Sequence, residues 1–197
     1  MTPCHSGRLH IVNAYFISVM SLTGTLIFLN SSPSFIDTAY AQATPPITSS
    51  GLDTIVTRNG NVHDITGGTR PGNGLNLFHS FGEFSIPTDN IANFLNNSNL
   101  PTSNILGRVN GGNPSSIFGT IQTTGFGNAN LFLMNPAGIV FGPHASLNVG
   151  GAVSFTTADY IRLADGVRFN ATPNVAADSL LSAAPISTFG FISSVPA

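Results

Sequence analysis

Few side chains in this sequence could perform acid–base or nucleophilic chemistry. Beyond residue 41 the chain has one Glu, six Asp and three His, and its single cysteine is Cys4. Asp159 and Asp165 are a conceivable glycosidase pair, but nothing in the sequence brings their carboxyl groups to the separation of about 5 to 10 Å that this reaction needs. They are therefore interpreted as surface residues. With no Ser-His-Asp or Cys-His arrangement either, no catalytic residue is predicted and the chain is not predicted to be an enzyme.

The usual signatures of metal and cofactor sites are also missing. His63 and Asp64 are adjacent, but no second His, Cys or carboxylate lies at a recurrent ligand spacing, so the pair is interpreted as part of a turn or of the surface. The segment "GGTRPGNG" (67–74) resembles a phosphate loop in composition only, because the chain has no Lys. "GNGLNL" has two of the three glycines of a dinucleotide fingerprint, and no helical pattern follows it. The sequence predicts no metal and no cofactor.

Charge argues against several partners. All six basic residues are Arg, and those beyond the N-terminal segment occur singly. Nucleic-acid binding is not predicted, since it usually requires clustered basic side chains facing the phosphates. Past residue 41 no window approaches the ~18 apolar residues of a membrane-spanning helix, so the body of the chain is predicted to be soluble.

The first 41 residues have the layout of a secretory signal peptide. Arg8 precedes a mostly apolar run (11–29), and a polar stretch then ends in the small-x-small sequence Ala39-Tyr40-Ala41. This pattern predicts cleavage after Ala41 by signal peptidase, following delivery to the general secretion machinery. An uncleaved membrane anchor is the alternative, because the apolar run is long for a signal. Residues 42–50 are predicted to be an extended lead-in.

The body of the chain has the pattern of strands and turns. Asn-Gly and Gly-Gly pairs recur between short runs rich in Ile, Val, Phe and Thr. No segment shows a sustained 3.6-residue apolar period, and "NVAADSLLSAA" (174–184) is the best candidate for a short helix. Apolar and small residues alternate over residues 147–155, which predicts one strand with a single apolar face. An all-β fold is therefore predicted.

An internal echo favours one kind of all-β fold. "GNGLNLF" (72–78) is repeated in part as "GNANLF" (127–132), with the Leu-Phe pairs 54 residues apart. Two or three turns of a stacked β-solenoid could separate such echoes, and solenoids favour Asn and Gly at their corners. A β-sandwich with short strands and frequent turns is the alternative.

A sharp corner is predicted at residues 135–138. Pro136 fixes φ, Asn135 can bond to nearby backbone, and Gly138 can adopt conformations that other residues avoid. The flanking runs "NLFLM" (130–134) and "GIVFG" (138–142) are continuously apolar. Such runs predict strands that are buried on both faces by a further layer.

Three segments together carry a resemblance to a known family: residues 47–87, 104–122 and 128–163, ending in "NANLFLMNPAGIVFGPHASLNVGGAVSFTTADYIRL". In this order they resemble the N-terminal secretion domain of two-partner secretion exoproteins, the filamentous-haemagglutinin-like family. The resemblance implies a right-handed parallel β-helix with an N-terminal cap and extra strands packed outside it. It places this domain at residues 51–163 and makes residues 164–197 the truncated start of a downstream region.

The family has two Asn-containing motifs that contribute to secretion competence. Its Asn-Pro-Asn-Gly-Ile motif is similar to residues 135–139, where Ala137 replaces the second Asn; its Asn-Pro-Asn-Leu motif is loosely similar to residues 97–100, where the proline is missing. The resemblance therefore implies transporter recognition, or a structural corner needed for it, at Asn135, Pro136, Gly138 and Ile139, with Asn97, Asn99 and Leu100 as weaker candidates.

The resemblance also implies a route and a partner. After crossing the inner membrane, the chain would be recognised in the periplasm by the periplasmic domains of an outer-membrane β-barrel transporter, and would fold outside the cell or at its surface. Two alternatives remain: an adhesin fragment whose missing downstream region binds a host or neighbouring-cell surface, and a β-helical polysaccharide lyase or hydrolase. The enzyme would need clustered acids or bases on one sheet face.

Overall fold

Short strands separated by tight turns make up most of the regular structure, as the sequence predicts. The computed structural model describes residues 46–192; the predicted signal peptide with Ala39 and Ala41, and the first part of the lead-in, lie outside the described residues. The elements in chain order are β1 (Ile47–Gly51), β2 (Thr54–Asn59), β3 (Val62–Gly67), a 3₁₀ turn (Pro71–Asn73), β4 (Asn76–Phe84), β5 (Ile91–Leu95), β6 (Asn104–Val109), β7 (Ser115–Ile117), β8 (Thr120–Thr124), β9 (Asn130–Met134), β10 (Ile139–Phe141), β11 (Ser146–Asn148), β12 (Val153–Thr156), β13 (Tyr160–Leu163), β14 (Arg168–Asn170), α1 (Val175–Asp178) and β15 (Ile186–Gly190).

Parallel strands stack into a β-solenoid of about three turns. Sheet A contains β4, β6, β9 and β12, sheet B contains β3, β5, β8 and β11, and sheet C contains β7 and β10. Each turn runs from sheet A through the sheet C side to sheet B. Asn76 pairs in register with Asn104, and Asn104 with Asn130. These steps of 28 and 26 residues explain the 54-residue echo as two turns, and confirm the solenoid rather than the sandwich.

The two ends of the solenoid differ. At the first turn, β1 pairs antiparallel with β4 and β2 pairs antiparallel with β3, so these two strands form an N-terminal cap. At the last turn, β10, β11 and β12 each pair with one preceding strand only, within the described residues. Val140, Phe141 and Leu147 are about half exposed there. The predicted burial of "GIVFG" (138–142) is therefore wrong, because β10 lies at this uncovered end.

An extra-helical layer covers the outer face of sheet A. In it, β13 pairs antiparallel with β14 and β15, and α1 lies within the predicted helical stretch. The layer packs against outward-facing side chains of β4, β6 and β9, including an edge-to-face contact between Phe78 and Phe169 with ring centroids 5.1 Å apart. Since Leu131 and Leu133 face the solenoid interior while Met134 faces the layer, the predicted two-sided burial of "NLFLM" (130–134) is confirmed.

The predicted single strand over residues 147–155 is wrong. Gly150 and Gly151 form a corner, so β11 belongs to sheet B and β12 to sheet A. Side chains at these two positions would collide with the backbone of Gly127 and Ala129 in the preceding turn, which explains the glycines. The alternation of apolar and small residues continues through the corner because β11 and β12 both point their apolar side chains towards the solenoid interior.

The ionisable side chain of His79 is enclosed in the solenoid interior. His79, on β4, is 1% exposed and packs between Phe81 and Phe94. Its Nδ1 lies 3.3 Å from Thr54 Oγ1. Burial, with a smaller contribution from the positive charge of Arg70, lowers the pKa of His79 to about 3. The ring is therefore neutral in the folded protein at physiological pH.

Candidate functional site

The predicted corner at residues 135–139 is organised by the side chain of Asn135. This residue is 1% exposed and directly follows β9. Its Nδ2 donates to Asn113 O at 3.0 Å and to Ser115 Oγ at 2.9 Å, and its Oδ1 accepts from the Ala137 N–H at 3.0 Å. The side-chain amide of Asn135 thus accepts a hydrogen bond within the corner and also bonds the corner to the preceding turn of the solenoid.

Gly138 and Ile139 contribute to the corner through backbone geometry and packing. Gly138 has φ of 114°, which side chains disfavour, and its N–H donates to Asn135 O while its carbonyl accepts from the Ser115 N–H. Ile139 packs partly buried against the solenoid core, whereas Pro136 and Ala137 are exposed. Of the side chains at residues 135–139, only that of Asn135 takes part in the corner's hydrogen bonds. Alanine at position 137 therefore leaves them intact.

A cleft of about 180 Å³ adjoins this corner. Its walls are Asn135, Pro136 and Ala137 on one side, the end of β6 with the following turn on another, and residues 171–173 of the extra-helical layer. The exposed part of the corner therefore lies where the solenoid meets the layer.

The weaker candidates lie at a different corner, between β5 in sheet B and β6 in sheet A. Asn97 and Asn99 are exposed, and Asn99 has φ of 57°. Asn96 closes this turn by donating to Leu100 O and Gly125 O, each at 3.1 Å. Arg70 then holds the end of the turn, donating to Pro101 O at 3.1 Å.

The structure does not bring the two motif segments together. Residues 135–139 connect sheet A to sheet C, whereas residues 97–100 connect sheet B to sheet A. They also differ in exposure, because Asn135 is enclosed while Asn97 and Asn99 face solvent. A partner that binds the folded domain could therefore contact the side chains of Asn97 and Asn99 but not that of Asn135.

Sequence reasoning missed an asparagine ladder along sheet A. Asn130 Nδ2 donates to Asn104 Oδ1 at 3.1 Å, and Asn104 Nδ2 donates to Asn76 Oδ1 at 2.9 Å. The ladder ends on Ala184 O at 2.8 Å in the extra-helical layer, and at its other end Asn130 accepts from the Ala152 N–H. The repeated "NLF" at residues 76–78 and 130–132 was the only indication of the ladder in the sequence. The middle asparagine, Asn104, is followed by Ile-Leu and so does not repeat this motif.

Breaking this ladder at its centre should destabilise the domain. Asn104→Ala removes two hydrogen bonds and leaves the Oδ1 of Asn76, which is 1% exposed, without its donor. We expect a loss of about 2 kcal/mol in the free energy of unfolding, measured by urea denaturation. Asn148→Ala, at an exposed position of β11, should change it by less than about 0.5 kcal/mol. Equal urea midpoints for Asn104→Ala and wild type would contradict a stabilising ladder.

The residues considered for catalysis and metal binding do not converge. Asp159 accepts from the Ile192 N–H, whereas Asp165 accepts from Ser182 and the Val167 N–H, which lower the pKa of Asp165. Among residues 46–192 no group of three or more His, Cys, Asp or Glu could hold a metal ion.

The interpretation of His63 and Asp64 as a turn or surface pair is wrong. Both lie within β3, where neighbouring side chains point to opposite faces of the sheet. His63 faces inward and is 2% exposed, with Nε2 3.4 Å from Asn90 Oδ1. Asp64 faces outward and accepts from Asn93 Nδ2 at 2.7 Å. The two side chains therefore cannot act on one ligand.

Comparison with known proteins assigns a family to this architecture. The TPS secretion domain family matches residues 41–188, whereas none of the curated proteins and none of the solved structures matches the chain. Members of this family are secretion-targeting domains of secreted exoproteins, and the family is not an enzyme family. In the described part of the chain, the longest helix has four residues, too short to cross a membrane. Because the matched residues include the cap, the stacked turns and most of the extra-helical layer, the chain belongs to the TPS secretion domain family.

Proposed function

We propose that this chain is the secretion-targeting part of a two-partner secretion exoprotein, recognised in the periplasm by an outer-membrane β-barrel transporter. The family match over residues 41–188 is the observation that supports this proposal most directly. The signal peptide at residues 1–41 would bring the chain to the periplasm, with cleavage after Ala41. The domain would then fold as a β-helix outside the cell.

Recognition of Asn135 itself would have to precede folding. In the folded domain its amide is 1% exposed and makes hydrogen bonds to residues 113, 115 and 137, so a partner could not bind it without opening the corner. An unfolded chain presents the same amide freely. Its short apolar segments could also add to a strand edge of the periplasmic domains, a mode that relies mainly on backbone hydrogen bonds.

Folding at the cell exterior would help to make transport directional. Asn135, which follows β9, bonds to residue 113 in the preceding turn, and Asn104 on β6 bonds to asparagines on β4 and β9. These contacts can form only when consecutive turns are present together. A folded solenoid is also wider than an extended strand. Once several turns have formed outside, the chain would be unable to return through a narrow pore.

A secretion assay with and without the transporter tests this function. Residues 1–197 are co-expressed with the cognate outer-membrane transporter or with an empty vector, and the protein in the medium and periplasm is quantified. We expect release to require the transporter and to fall at least several-fold for Asn135→Ala. Asn148→Ala, an exposed asparagine outside both motifs, should behave as wild type.

Two outcomes would contradict the proposal. One is retention of wild-type protein in the periplasm when the cognate transporter is present, and the other is equal release without it. Ala137→Asn, which restores the family residue at an exposed position, adds a further comparison. If position 137 contributes to recognition, this variant should be released at least as efficiently as wild type.

A further inference from the structure

A buried ion pair joins the solenoid to the extra-helical layer. Arg108, on the outward face of β6, has a side chain that is 2% exposed, and the side chain of Asp178 is 15% exposed. The two groups make a bidentate contact, with Nη1 to Oδ1 at 2.8 Å and Nη2 to Oδ2 at 2.7 Å. It is the one ion pair found between residues 46 and 192.

The surroundings of Arg108 are shared between the two parts of the domain. From the solenoid, Ser80 Oγ accepts from Arg108 Nε at 2.9 Å. From the layer, Asn170 O accepts from Nη1 at 3.2 Å, and the Phe169 ring lies 5.3 Å from the guanidinium carbon. The partner carboxylate is 70 residues further along the chain. The charge of Arg108 is therefore compensated only when the layer is in place.

The solenoid interior does not depend on the layer. Its apolar core is built from residues between Ile47 and Phe155, and none of them belongs to β13, β14, α1 or β15. The layer forms a second core with the outward side chains of sheet A, separate from the first. The two cores allow the solenoid to form first and the layer to dock afterwards.

Burial of Arg108 makes docking conditional on Asp178. Without the layer, the guanidinium would lie on the outer face of sheet A in contact with water, at little cost. If the layer docked without a carboxylate at position 178, it would bury an unpaired charge, which is strongly unfavourable. Apolar contacts alone do not discriminate between segments in this way, because they are non-directional.

We propose that Arg108 and Asp178 form a latch that fixes residues 160–190 on a completed solenoid as a separate, final step of folding. The latch rests on the arrangement of the two cores and the ion pair, not on the transport role. It ensures that the outer face of sheet A is covered only by the segment that carries Asp178, in its correct register.

Hydrogen exchange measured by mass spectrometry on the purified protein tests the latch. We expect Asp178→Asn to reduce the protection of peptides from β13, β14 and β15 by about 100-fold or more, because the layer opens locally. Peptides from β5 and β8, in the solenoid, should keep their protection. Asp165→Asn makes the same chemical change at an exposed position of the same layer and should alter protection there by less than about three-fold.

A double variant separates charge from packing. Arg108→Met combined with Asp178→Leu removes both charges and keeps apolar volume, so the layer should recover most of its protection. The latch would be refuted by equal loss of protection in the layer and the solenoid of Asp178→Asn, or by no loss in the layer. A double variant as unprotected as Asp178→Asn would also overturn it, because the unpaired Arg108 charge would then not be the cause.

Discussion

Asn135→Ala is expected to lower the free energy of unfolding by about 3 kcal/mol. The substitution removes three hydrogen bonds and leaves the hydroxyl of Ser115, which is 1% exposed, without its amide donor. Each such bond contributes about 1 kcal/mol, and a buried group left unpaired adds to the loss. Urea denaturation of purified protein at neutral pH measures the effect, with Asn148→Ala as the matched control.

Stability and secretion together identify what Asn135 does. If the variant loses both, the structural corner is sufficient to explain the loss of secretion. If it keeps wild-type stability within about 0.5 kcal/mol, the structural role described here is wrong. Reduced release in that case would instead point to direct recognition of the amide by the transporter.

Acidification is expected to destabilise the domain through His79. The folded-state pKa of this residue is lowered to about 3, whereas the unfolded chain has the ordinary value near 6.5. Below pH 6.5 the unfolded state therefore binds a proton that the folded state excludes, and stability falls as pH decreases. The loss attributable to His79 at pH 5 is about 2 kcal/mol, since each pH unit corresponds to about 1.4 kcal/mol.

The His79→Leu variant isolates this contribution. Thr54 Oγ1, the neighbour of His79 Nδ1, also accepts from the Ser80 N–H, so the substitution does not leave it without a partner. Between pH 6.5 and 4.5 the free energy of unfolding should fall less steeply for the variant than for wild type, by about 1.4 kcal/mol per unit. Asp165, whose pKa is lowered from 3.8, contributes only at more acidic pH. Parallel curves for the two proteins over this range would contradict a buried neutral His79.

The sequence predicts most of the architecture because corners and strands are encoded locally. Pro136 and Gly138 favour a turn through their own backbone preferences, and Asn135 adds a local side-chain hydrogen bond to the Ala137 N–H. The two-sided apolar pattern of residues 130–134 correctly requires an outer layer. Local patterns do not distinguish a strand from a corner that keeps the same alternation. The Gly150-Gly151 corner was missed for this reason.

Burial of polar residues could not be predicted in the same way. Arg108 meets a carboxylate 70 residues away, and Asn104 meets partners 28 and 26 residues away. These distances in sequence are set by how the turns stack and where the layer docks, not by local spacing. His63 illustrates the same point, because its place in β3 turns it towards the interior, whereas its sequence neighbours do not indicate burial.

The unequal ends of the solenoid give the molecule a mechanical polarity. β1 and β2 close the first turn with antiparallel pairs, whereas β10, β11 and β12 at the other end are held by parallel pairs. In a stack where each turn contacts only its neighbours, force spreads from one turn to the next. Tension applied beyond β15 would first have to detach the extra-helical layer and break the Arg108–Asp178 ion pair, and would only then open the solenoid from its last turn. Tension applied at the cap would instead open antiparallel pairs, β1 from β4 and β2 from β3, before it reached the parallel turns.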